Sequence, residues 1–267
     1  MRLGAWAIML CLLPVWAGAQ VSVEVSPLRV ELTGAPGESH TQAITLTNQG
    51  AAPVRIRATI DDWYLSKDGT PQFEPAPPGT WSSAAGWIRL APPEQVLEPG
   101  RQGVVRFTLA VPPGTEPAGY RAAVMFEFAD PAADPAARGR QVTFRSRVAT
   151  VVYATIGQPP IAVDLTNLVV RAEEGKPPQI VATLHNTGRV HVRTKGFLTI
   201  YDQSGTVVRQ VDLPSAPVLP ESERDVAIPT GGEKDPPLAP GTYRVEVKID
   251  VGMRALLVGE TVLTIAR

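Results

Sequence analysis

Few side chains in this 267-residue chain have the type and spacing that chemistry demands. His185 and His191 flank a turn, and His40 is the third and last histidine. A zinc site takes three or four ligands from His, Cys and carboxylates, and no Cys or paired carboxylate stands at ligand spacing beside them. Asp61 and Asp62 are candidates for shared acid–base work, but neighbours on a strand project to opposite faces. They are read instead as leading into the turn that 67-KDGT-70 continues. Asp130 and Asp134 fall in the loop 129-ADPAADPAARG-139 without calcium-loop spacing. There is no Gly-x-Ser-x-Gly elbow and no glycine-rich phosphate loop. The sequence therefore predicts no catalytic residues, no metal site and no cofactor. The expectation is a binding protein, not an enzyme.

The first residues predict export. Arg2 precedes the apolar run 5-AWAIMLCLLPVW-16 and the small residues Ala17-Gly18-Ala19, the pattern of a cleaved secretory signal over 1–19. The run is too short to span a bilayer and contains Pro14. Cys11, the only cysteine, lies inside it and not at the cleavage position. A mature chain starting at Gln20 has no disulfide and must rest on packed cores. With a net charge of -1 and no block of like charge, no nucleic-acid or polybasic membrane surface is expected. No later apolar run reaches spanning length, and 261-TVLTIAR-267 reads as a last strand. The expected location is periplasmic or secreted, without stable membrane insertion.

The elements behind these residues are strands. Short β-branched runs recur between Pro, Gly, Asn and Asp: 21-VSVEV-25, 28-LRVEL-32, 42-QAITLTN-48, 54-VRIRATI-60, 104-VVRFTLAV-111 and 120-YRAAVMFEF-128. Such spacing predicts antiparallel sandwiches. A repeat sharpens the reading. Leu46-x-Asn48-x-Gly50-x-x-x-Val54-Arg55 returns as Leu184-x-Asn186-x-Gly188-x-x-x-Val192-Arg193. Further on, 97-LEPGRQGVVRFTLAVP-112 parallels 219-LPESERDVAIP-229, and 119-GYRAAVMFEF-128 parallels 241-GTYRVEVKID-250. The expected fold is all-β: two tandem immunoglobulin-like β-sandwich domains, over 20–153 and 158–267, joined near 157-GQPP-160. The Asn and Gly of the repeat are read as turn residues tolerant of positive φ. Tyr120 and Tyr243 stand where such folds place a corner tyrosine. Trp63, Trp81 and Trp87 either cover one end of the core or form a binding surface.

One segment is too long for its place. The first domain closes on 140-RQVTFRSRVATVVYATIG-157, read as a strand over 140–156, two to three times the ordinary length. Its front half alternates, with Val142, Phe144 and Val148 on one side and Gln141, Thr143, Arg145 and Arg147 on the other. Its back half is almost continuously apolar.

The opening strand 26-SPLRVEL-32 resembles the Pro-x-Arg-Val first strand of the periplasmic pilus-assembly chaperones (PapD-like). The resemblance continues through 43-AITLTNQG-50, 54-VRIRATI-60, Leu97-Glu98-Pro99-Gly100 and 104-VVRFTLAVP-112. It implies a chaperone that lends the long last strand of its first domain to an exported, pilin-like subunit. Val142, Phe144 and Val148 would then enter the subunit's groove, while Arg145 and Arg147 stay outside. It also implies two basic residues holding the subunit's terminal carboxylate. Arg29 matches the first by its place in the strand. The second is a lysine near the end of the long strand; this chain has none between Lys67 and Lys176, and Arg147 is the nearest basic candidate. The family's acidic–basic motif before the penultimate strand is replaced by 116-EPAGYRAAVMFEF-128. A second resemblance, carried by 185-HNTGRVHVRTKGFLTIYDQSG-205, is to Gram-positive surface proteins with paired sandwiches. It implies adhesion or scaffolding on envelope proteins or peptidoglycan. Those proteins usually end in a spanning helix, which this chain lacks.

Overall fold

The structure is a computed structural model that describes residues 22–74, 82–129, 146–232 and 234–266. The signal segment, Trp81, Val142 and Phe144 lie outside the described residues. The first domain contains β1 (Val23–Ser26), β2 (Arg29–Gly34), β3 (Ser39–Asn48), β4 (Val54–Asp61), β5 (Tyr64–Leu65), β6 (Pro71–Gln72), β7 (Ile88–Ala91), β8 (Glu94–Leu97), β9 (Gln102–Ala110), β10 (Ala118–Ala129) and β11 (Ser146–Ile156). The second contains β12 (Val163–Arg171), β13 (Gln179–Asn186), β14 (Val192–Arg193), β15 (Lys195–Tyr201), β16 (Val207–Asp212), β17 (Pro217–Val218), β18 (Ser222–Pro229), β19 (Gly241–Asp250) and β20 (Leu257–Ile265). Among the described residues no helix is long and apolar enough to cross a membrane.

Two sheets, β1-β3-β9-β7 and β2-β11-β10-β4-β8, make the first sandwich. The sheets β12-β13-β18 and β16-β15-β19-β20 make the second. Alternation along β9 turns Val105, Phe107 and Leu109 inward to meet Ile44, Leu46, Ile56 and Phe126. The second core gathers Ile180, Leu184, Leu198, Ile200, Ile228 and Val247. Each such side chain contributes about 2 kcal/mol on burial, so the two cores carry stability without any disulfide.

Strand β10 is buried along almost its whole length, which is why 120-YRAAVMFEF-128 shows little alternation. Its inner face, through Ala122, Val124, Phe126 and Phe128, belongs to the first core. Its outer face, through Ala123 and Met125, lies under a third cluster with Trp63, Tyr153 and Leu219.

The repeat has a different physical basis from the one its residue types suggest. Neither Gly50 nor Gly188 has a positive φ. Asn48 and Asn186 are buried brackets instead. Asn186 Nδ2 donates to the carbonyls of Val190 and Val218, and its Oδ1 accepts the Gly188 N–H. Asn48 does the same with Ala52, Leu97 and Gly50. Each side chain pins its loop to the following strand connection. The tyrosines are corners as expected: Tyr120 donates to the Glu116 carbonyl at 3.0 Å and Tyr243 to that of Ala239 at 2.8 Å.

Candidate functional site

Strand β11 has two different halves. Against β10 it pairs along its full length, from Ser146 opposite Phe128 to Ile156 opposite Ala118. On its other side β2 runs parallel to it, but only from Arg29 opposite Val151 to Gly34 opposite Ile156. The chain leaves β1 in the other sheet, passes Pro27, and joins β11 where the Val151 N–H donates to the Leu28 carbonyl at 3.0 Å. Among the described residues nothing pairs with Ser146–Ala149 on that side. Donor directions repeat every second residue along a strand, so the N–H groups of Arg147 and Ala149 point into this open slot. Whatever fills it lies in line with β2 and ends beside Leu28 and Arg29.

Side chains on β11 alternate across this edge. Val148 faces inward and packs on the first core. Ala149 and Val151 face outward, onto the cluster of Trp63 and Tyr153. Arg147, also outward, is opposite Glu127 and makes an ion pair with Asp61 at 2.9 Å. The structure does not bring Arg147 to Arg29. Its position is four residues before Val151, roughly 13 Å along the strand, and Asp61 already engages it. The second guanidinium near Arg29 is a different one.

That guanidinium is Arg193, from the second domain. Its Nε donates to Glu31 Oε1 at 2.7 Å, and Arg29 Nε stands 3.4 Å from the same oxygen. Partial burial pulls Glu31 upward, but the Arg193 hydrogen bond and charge hold its carboxyl below the usual range. Tyr153, opposite Glu31 in the parallel ladder, stacks on His191 at 4.2 Å and meets Trp63 edge-on at 5.2 Å. Burial raises the Tyr153 phenol. Arg121, opposite Tyr153 on β10, donates to the Trp63 carbonyl and to Ser82 Oγ.

Three further ties hold the domains at this cleft. The Gly119 N–H donates to the Arg189 carbonyl at 2.7 Å, and a Cβ at Gly119 would come within 3.1 Å of the Val190 backbone. Arg189 pairs with Glu116 at 2.6 Å. The turn between β5 and β6 reaches β18, where the Asp225 N–H donates to the Lys67 carbonyl at 2.7 Å and Lys67 Nζ pairs with Glu223 at 2.8 Å. Trp63 thus neither covers a core end nor forms an open surface; it is buried between the domains. Trp87 packs on the first core and on Tyr120.

Glu31, Tyr153 and Arg193 fall inside patterns quoted above, but no pattern marks them, or His191, as meeting in one cleft. The strand period places Glu31 on the face of Arg29.

His191 makes the junction pH-sensitive. Burial, with Arg193, Arg121 and Arg29 nearby, pushes it down to about 4, against the upward pull of Glu31. Between its ordinary value of 6.5 and about 4, the unfolded chain takes up a proton that the folded chain refuses. Its contribution is complete above pH 6.5 and falls as the pH drops toward 4, by about 3 kcal/mol in all. Melting curves at pH 7.5 and 4.5 should show a much smaller acid loss for His191→Gln than for the unaltered protein. An equal loss in both would place the acid sensitivity elsewhere.

The sequence matches no described protein family and no curated protein. Solved structures do show likeness. The class 5 fimbriae chaperone CfaA is 14% identical, over 91% of this chain and 100% of that one, with a TM-score of 0.47. The CsuC–CsuE chaperone–tip adhesion subunit complex of Acinetobacter baumannii pili gives 14%, 90% and 97%, with 0.45. The CupB2 chaperone of Pseudomonas aeruginosa gives 14%, 91% and 100%, with 0.43.

Proposed function

We propose that this protein is a chaperone for exported, pilin-like subunits, working by strand addition at β11. The carrying observation is the open edge at Ser146–Ala149, in line with β2 and lying on a strand otherwise paired on both sides. Unpaired main-chain donors on an edge are a template for another chain's strand. A subunit strand running parallel to β11 brings its C-terminus to Arg29, whose side chain is about half exposed. In the complex, Val142 and Phe144 continue the row of Val148 into the subunit's core, while Arg147 stays outside on Asp61. The client is a β-rich subunit lacking one strand.

Amide hydrogen exchange tests this. The protein is co-expressed with exported pilin-like subunits, and the binary complex is compared with the free chain. The amides of Arg147 and Ala149 are expected to exchange freely alone and to be protected at least about tenfold in the complex. Protection confined to the second domain would overturn the assignment.

A further inference from the structure

Residues two apart on β2 present opposite charges to the cleft. Glu31 is committed to Arg193, a mostly buried partner whose side chain is 16% exposed, and touches Arg29 only at 3.4 Å through Nε. The Nη atoms of Arg29 make no hydrogen bond among the described residues, and its side chain is 54% exposed. A carboxylate arriving from the open slot meets those Nη atoms and lies across one guanidinium from Glu31.

Resting on the strand-addition reading above, we propose that Glu31 is a resident competitor that sets how tightly Arg29 holds the terminal carboxylate of an added strand. The completed arrangement runs Arg193, Glu31, Arg29, client carboxylate. The charges alternate in sign from the second domain to the bound chain end. The inner carboxylate weakens the outer one's hold by sharing its guanidinium. Arg193 keeps Glu31 in place, so capture stays reversible without loss of the domain contact. The ligand class is a peptide strand with a free α-carboxylate.

The test uses two probes at constant ionic strength, read at the Arg29 side-chain Nε–H by NMR. The first probe is acetate, which has no backbone to pair. Glu31→Gln keeps an acceptor for Arg193 and removes the charge, and should tighten acetate at Arg29 roughly three- to tenfold. Glu31→Asp, which keeps the charge, should not, and Arg29→Ala added to Glu31→Gln should remove the gain. Acetate binding no tighter to Glu31→Gln, or a gain surviving Arg29→Ala, overturns the proposal. The second probe is an octapeptide of alternating valine and threonine, with its C-terminus free or amidated. The free form should gain from Glu31→Gln and the amide should not; equal gains would overturn the role. Acetate tightening without peptide protection of the Arg147 and Ala149 amides would sink strand addition and leave the competition at Arg29 standing.

Discussion

Ala149→Pro is expected to abolish subunit capture and leave the free protein folded. Because the Val151 N–H donates to Leu28, the Ala149 N–H points the same way, into the open slot. Those of Val148 and Thr150 point toward β10. A proline at 149 deletes a donor that has no strand partner in the free chain, and its fixed φ is tolerated on an edge strand. The melting temperature should move by no more than about 2 °C. In the complex the loss is double: one central main-chain bond is gone, and the ring projects into the incoming strand. Affinity should drop at least about 30-fold. Thr150→Pro is the contrast, because it breaks the ladder to β10 next to Pro27 and should unfold the first domain. Measured by titration against a purified subunit, capture by Ala149→Pro at the original affinity would rule out this edge.

Among single truncations to alanine, a large stability effect is expected at Asn186. Its side chain is fully buried, and all three of its hydrogen bonds are buried. Alanine there strands the carbonyls of Val190 and Val218, while the Gly188 N–H keeps a second acceptor in the Ala162 carbonyl at 3.1 Å. Each stranded group costs about 1–3 kcal/mol, so with two of them Asn186→Ala should lose about 2–4 kcal/mol. Asn48 makes the same three contacts, but those to Ala52 and Gly50 are only partly buried. Water can relieve two of the stranded groups, so Asn48→Ala should cost about half as much. Chemical denaturation of both variants decides it. An equal loss, or a larger one at Asn48, would mean that burial of the bracket is not what matters.

These brackets show what a sequence can and cannot disclose. The repeat of Asn and Gly at fixed spacing was visible, and the duplicated sandwich followed from it. Its cause was not, because residue type suggested a turn conformation and only the fold shows what surrounds an amide group. Arg29 was legible because a strand motif carries it. Arg193 and His191 were not, since they reach the cleft from the other domain and no local pattern records that contact. Arg147 illustrates the reverse error. Nearness along the chain made it the partner of Arg29, whereas the ladder places it on a different row, against Asp61. Likewise, the near-continuous burial of β10 hid a second covered face, whose cover is Trp63 and Leu219.

The hairpin of β5 and β6 has a protective consequence. Strand β18 ends its sheet, and an end strand invites pairing with another copy. The turn at Lys67 takes up the Asp225 N–H and sets a lysine over Glu223. A protein that captures strands in the way proposed above keeps one edge open, and covering another edge lowers its tendency to pair with itself. By folding a piece of the first domain onto the second domain's flank, the chain covers the β18 edge there, while Ser146–Ala149 of β11 stay unpaired on their open side among the described residues.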